Sequence, residues 1–94
     1  MISLRGKSLT ATARDIADGY TIVNPLFLKP LDAVSLKGLY QQVMKVQTEI
    51  RGEKFPFNDV GRIRSRNMKL QRLHTTLMII KNFARERRMK GVSL

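Results

Sequence analysis

Ninety-four residues carry eighteen lysines and arginines against seven aspartates and glutamates, a formal net charge of +11, with 43% hydrophobic residues and no cysteine. A chain of this length makes one domain that buries proportionally little surface, which disfavours a deep enzymatic cleft, and its apolar content is too high for a disordered basic tail. With no thiol and a single histidine, no disulfide framework, metal site or cofactor is expected, whereas the charge asks for a polyanionic partner, nucleic acid first and an acidic membrane surface second.

Residues 1–31 read as an extended N-terminal arm. Arg5, Lys7, Arg14 and Lys29 stand beside Asp15 and Asp18, and the apolar stretch 20–28 is broken by Asn24-Pro25 and closed by Pro30. One helical turn is expected within residues 10–17. Arg5-Gly6-Lys7-Ser8 ends like a phosphate-binding loop, but that motif requires a second glycine where Met1 stands.

Residues 32–52 form the first helix. Leu36, Leu39, Val43, Val46 and Ile50 recur at alternating steps of three and four, a heptad seam. Asp32 or Ser35 can supply an N-cap oxygen, and Gly52 sits where a helix stop belongs. Gly38 inside the helix costs about 1 kcal/mol relative to alanine, so the helix needs a packing partner. Residues 53–59 make a loop, because Pro56 cannot continue a helix and Asn58 or Asp59 can cap the next one.

The second helix spans 60–88, with Ile63, Leu70, Leu73, Leu77, Ile80 and Ala84 on its seam and Arg66 in one core-type slot. The expected fold is therefore all-α, an antiparallel, coiled-coil-like two-helix hairpin over 32–90 behind the arm. At 1.5 Å per residue the second helix, about 43 Å, overhangs the first, about 30 Å. Met44, Met68 and Met78 lie beside the seams and are expected to fill the core. The apolar run Leu77-Met78-Ile79-Ile80 is far shorter than the roughly twenty residues that cross a bilayer.

Chemistry is scarce and charge is plentiful. His74 has leucine and threonine neighbours, the carboxylates show no catalytic pairing, and no nucleophile has a base at hand, so no enzyme is expected. Residues 61–94, by contrast, hold Arg62, Arg64, Arg66, Lys69, Arg72, Lys81, Arg85, Arg87, Arg88 and Lys90 against one acid, Glu86. An ordinary solvated helix face would balance such charges with glutamates. Here phosphate would relieve their repulsion by releasing counterions, and guanidinium groups suit phosphate oxygens bidentately. Neither a helix-turn-helix nor a basic zipper is present, and a basic rod suits folded RNA, recognised through shape and backbone.

Both helices resemble one family. Arg62-Ile63-Arg64, followed by Leu70, Arg72-Leu73, Thr75 and Leu77, is similar to the second helix of the universal large-subunit ribosomal protein twenty-nine family. Leu28, Leu31, Leu36, Gln47 and Ile50-Arg51 look like its first helix. The likeness covers residues 28–88; it departs from the family in the Lys54-Phe55-Pro56-Phe57-Asn58 loop, in the few glutamates of the first helix and in the arm, which is similar to extensions of mitochondrial members. It implies a non-catalytic constituent of the large ribosomal subunit near the polypeptide exit tunnel. The implied partners are large-subunit ribosomal RNA and neighbouring ribosomal proteins. Arg62, Arg64, Arg66, Lys69 and Arg72 would be the RNA contacts; Lys81, Arg85, Arg87, Arg88 and Lys90 join them on charge alone. The implied compartment is the mitochondrial matrix, with a bacterial or plastid ribosome as the alternative. Asp15 and Asp18 are unwelcome in a cleavable presequence, so the arm is expected to stay.

Leu39-Tyr40 followed by Arg62-Ile63-Arg64 also supports a different class, a mitochondrial assembly adaptor of the leucine-tyrosine-arginine type that binds an acyl carrier protein. Gln41 stands where that motif has arginine. A basic hairpin lying on anionic membrane is a third reading, weakened because the facing helix uses up the apolar seam.

Overall fold

The computed structural model describes residues 3–4, 7–53 and 59–87. Two short strands, β1 (Ser3–Leu4) and β2 (Lys7–Ser8), pair antiparallel with Ser3 opposite Ser8. The remaining regular structure is helical: α1 (Leu9–Asp18), α2 (Pro25–Leu28), α3 (Ala33–Gly52) and α4 (Val60–Glu86). The protein is all-α in its architecture. The loop residues 54–58 lie outside the described residues.

The N-terminal segment differs from the extended arm that its composition suggests. Ser8 caps α1 by accepting the Ala11 N–H at 3.1 Å, and the helix runs ten residues rather than one turn. Leu9, Ala13, Ile16 and Ala17 recur at helical spacing and bury one apolar face. Gly19 ends the helix at φ 85°, where the Tyr20 N–H returns to the Asp15 carbonyl at 2.9 Å, a left-handed cap that glycine adopts without a Cβ clash. The short polar and small residues of this segment disguise a helix whose buried stripe is Leu9, Thr12, Ala13, Ile16 and Ala17. Tertiary packing, rather than propensity, then holds it.

Helix α1 runs parallel to α3. Leu9 lies against Gly38, the Thr10 hydroxyl donates to Gln42 Oε1 at 2.8 Å, and Arg14 pairs with Glu49 at 3.0 Å, so contacts advance together along both helices. A Cβ at residue 38 would stand 2.7 Å from Leu9 Cδ1. The helix-interior glycine thus admits α1 to close approach. Helices α3 and α4 are antiparallel, since Arg66 near the start of α4 reaches the Arg51 carbonyl and Arg87 beyond its end reaches the Lys29 carbonyl.

The helix boundaries agree closely with the expected ones. The Asp32 carboxylate accepts the Ser35 N–H at 2.7 Å to cap α3, and Asp59 accepts the Arg62 N–H at 2.9 Å to cap α4. Leu36, Leu39, Val43, Val46 and Ile50 are all buried. On α4 the buried set is Leu73, Thr76, Ile80, Phe83 and Ala84, with Leu70 and Leu77 half-buried against them. Thr76 and Phe83 are additions, because α1 and α2 cover a second side of α4 that a two-helix seam leaves open. Thr76 satisfies its hydroxyl by donating to the Arg72 carbonyl at 2.9 Å.

The three methionines expected in the core are not there. Met44, Met68 and Met78 are 46%, 47% and 48% exposed. Each is rotated off its buried arc: Met44 by one residue from Val43, Met68 and Met78 onto flanks that no helix covers.

Two outcomes follow from this packing. Leu73 is fully buried among apolar neighbours, so Leu73→Asp places a carboxylate where no charge is compensated, and circular dichroism should report a largely unfolded chain, since that burial exceeds typical domain stability. The Ser35 backbone N–H, aided by the Ser35 side chain, holds the Asp32 carboxyl below its ordinary value of 3.8. The folded state therefore binds that proton less readily than the unfolded one, and the cap's contribution, present above pH 3.8, is lost as pH falls through the lowered value. Thermal melts of Asp32→Asn against the parent should converge on acidification below pH 4 and separate above it.

Candidate nucleic-acid interface

The ten cations assigned to phosphate do not share one face. Arg88 and Lys90 lie outside the described residues. Arg62 pairs with its own cap, Asp59, at 3.4 Å, and Lys69 pairs with Asp18 at the end of α1, also at 3.4 Å. Arg66 is half-buried and donates to the Arg51 carbonyl at 3.2 Å. Arg72 donates to the Ala17 carbonyl at 3.0 Å, with its guanidinium under Gly19, and Arg87 donates to the Lys29 carbonyl at 3.2 Å while its guanidinium lies 4.8 Å from the Phe83 ring centre.

Three of these contacts share one logic. Ala17 lies in the last turn of α1, Lys29 caps α2 and Arg51 lies in the last turn of α3. The final carbonyls of a helix lack intrahelical partners and carry its negative dipole end. Arg72, Arg87 and Arg66 each deliver a charged donor to one such end. Arginine suits the role because its long, weakly hydrated fork reaches a neighbouring helix and keeps donors to spare. These side chains position helices, and an arginine bonded to a neutral carbonyl keeps its full charge toward solvent.

The residues left for an outside partner follow a different register. Arg64, Asn67, Gln71, His74, Met78, Lys81 and Arg85 recur at alternating steps of three and four, and every one is exposed. From Arg64 to Arg85 the stripe extends about 30 Å at 1.5 Å per residue. It contains no carboxylate, and Arg64, Lys81 and Arg85 make no ion pair with a described residue. Amide and imidazole groups between the cations add donors without adding negative charge. A count of basic residues along the helix does not separate this stripe from the other cations; the heptad spacing of the polar positions, the same period that marks the apolar seam, does.

This arrangement is a row of cations and neutral donors on a rigid rod, suited to successive phosphates and riboses of a folded polynucleotide. Among the described residues no cluster of three or more potential metal ligands occurs, and no helix is long and apolar enough to cross a membrane. No family model matches the chain, and neither a curated protein nor a solved structure matches it.

Separating the two classes of cation is a direct experiment. Arg64→Ala, Lys81→Ala and Arg85→Ala together should leave the melting temperature near the parent's while the salt dependence of RNA binding becomes shallower by about two units, roughly 0.7 per phosphate contact on a single strand. Arg72→Ala should do the reverse, lowering stability by about 1–3 kcal/mol through the lost charged hydrogen bond. Equal salt slopes for the triple variant and the parent would remove the stripe from the interface.

Proposed function

We propose that the chain is a non-catalytic, RNA-backbone-binding constituent of the large ribosomal subunit, seated near the polypeptide exit tunnel against large-subunit RNA and neighbouring ribosomal proteins, in mitochondria. The observation that carries this reading is the carboxylate-free stripe of Arg64, Lys81 and Arg85 with the neutral donors between them on the exposed side of α4. In this reading α3 and α4 are the family's helical hairpin. Arg62, Arg64, Arg66, Lys69 and Arg72, which the resemblance marks as RNA contacts, then divide their work. Arg64 faces phosphate directly, Arg66 and Arg72 raise the local positive potential while holding α3 and α1 in place, and Lys69 pairs with Asp18 at the end of α1. Helix α1 is an addition to the hairpin, laid along it rather than projecting from it.

The adaptor reading has one specific observation in its favour. Three long helices, α1, α3 and α4, pack on one another, which suits that class better than a bare hairpin does. Leu39 is fully buried and Tyr40 half-buried in the second turn of α3. Fractionation of whole-cell and mitochondrial lysates on sucrose gradients distinguishes the two. Under the ribosomal reading the chain comigrates with an organellar large subunit and leaves that fraction after ribonuclease treatment. A small complex with an acyl carrier protein at equal stoichiometry overturns it in favour of the adaptor.

A further inference from the structure

Where α1 ends, the chain turns at Gly19 and stands off α4 before entering α2. Between residues 19–23 and the middle of α4 it leaves an open cleft of about 500 Å³. Ile16, Ile22 and Val23 form one wall, Met68 and Ile79 the other, and the Arg72 guanidinium lies among them. Ile16 and Val23 are buried at the base, whereas Ile22 and Met68 stand at the rim, 80% and 47% exposed. Apolar side chains held this far into water at a rigid concave site mark an interaction surface rather than ordinary surface variation.

The chemistry of the walls selects the occupant. A phosphodiester chain would leave the aliphatic walls unused and would find a single guanidinium, that of Arg72, in the lining. The cleft is therefore distinct in kind from the polar stripe of Arg64, Lys81 and Arg85. A basic partner is excluded by charge: Arg72 lines the cleft, Lys69 follows Met68, and the carboxylate beside them, Asp18, is engaged by Lys69. The complement is an apolar surface flanked by carboxylates. From Met68 to Ile79 the α4 wall extends about 16 Å, three turns of a helix at 1.5 Å per residue, so a partner helix would present anchors at positions i, i+4 and i+7.

We infer that this cleft docks an acidic amphipathic helix of another protein, its aliphatic side chains entering between Ile22 and Met68 and its carboxylates facing Lys69 and Arg72. The inference goes beyond RNA binding and does not depend on it. It assigns the chain two adjoining surfaces that meet at Gln71, one for a polyanion and one for a protein.

The test uses the full chain and a fluorescent fifteen-residue helical peptide with leucines one turn apart on one face and glutamates flanking them. Two control peptides replace the leucines by serine or the glutamates by lysine. Fluorescence anisotropy should show the leucine-glutamate peptide binding at least tenfold more tightly than either control. Ile22→Ser with Met68→Ser should abolish that tenfold preference while filter binding of RNA stays at the parent's level. Thr75→Trp, which fills the cleft from an exposed position, should weaken the same peptide equally, so the outcome does not rest on one variant's folding. Equal binding of the serine peptide would reduce the effect to general charge attraction and overturn the inference. So would a loss of RNA affinity in the double variant, which would make the cleft part of the RNA surface, or a dimer of the parent that the double variant dissolves, which would make a second copy the occupant.

Discussion

Three helices end against α4, and each end presents carbonyl oxygens with no partner in its own helix. Arg66, Arg72 and Arg87 meet those of α3, α1 and α2 in turn. This constraint sets the length of α4, which must reach from the end of α3 at one extreme to the end of α2 at the other, and α4 accordingly runs twenty-seven residues against twenty in α3. It also sets the direction of α1. Only a helix antiparallel to α4 and parallel to α3 brings Ala17 over Arg72 and Asp18 over Lys69. The magnitude of these contacts decides what they do. A hydrogen bond from a charged donor contributes about 1.5–3 kcal/mol net, comparable to burying one large apolar side chain and well short of what the whole apolar core supplies. Stability comes from the apolar cluster around Leu28, Leu36, Leu39, Val43, Leu73 and Ile80. The arginines choose which arrangement of helices that cluster adopts.

The same side chains explain how so positive a chain folds. Asp18, Glu49 and Asp59 neutralise three of its cations, whereas the carbonyls that Arg66, Arg72 and Arg87 bond carry no net charge. The charge of these arginines still contributes to the field around α4. Within a Debye length of about 8 Å at physiological salt, that field adds to the exposed row of Arg64, Lys81 and Arg85. Structural and binding roles are thus compatible in one residue. A phosphate chain lying along the outer register of α4 would feel the inner arginines without touching them.

The cleft and the outer stripe have a common origin in the placement of α1. Had residues 1–31 formed an extended arm, Phe83 and Thr76 would face water. With α1 docked, they are buried, and the connection through Gly19 must cross α4 with Ile22 held away from it. One folded segment therefore completes the core, engages two of the cations the sequence offers for RNA, and forms one wall of a second surface.

What the residues alone determined is the part governed by local periodicity and capping. The seam from Leu36 to Ile50, a cap at Asp32 or Ser35 and another at Asn58 or Asp59, the stop at Gly52 and the charge excess on α4 all follow from spacings within one helix, which a linear sequence displays. What tertiary structure decided is everything that depends on which helix approaches from the side. The sequence displays Ala11, Ala13 and Ala17 as small residues among hydroxyls, and only the close approach of Leu9 to Gly38 and of Arg72 to Gly19 makes a packed helix of them. Met68 and Met78 are apolar and near the seam, yet no element covers their flanks, and they remain exposed. The ten cations look equivalent along the chain because charge has no direction in a sequence; their rotation about α4, relative to three converging helix ends, separates those that hold the fold from those that face outward.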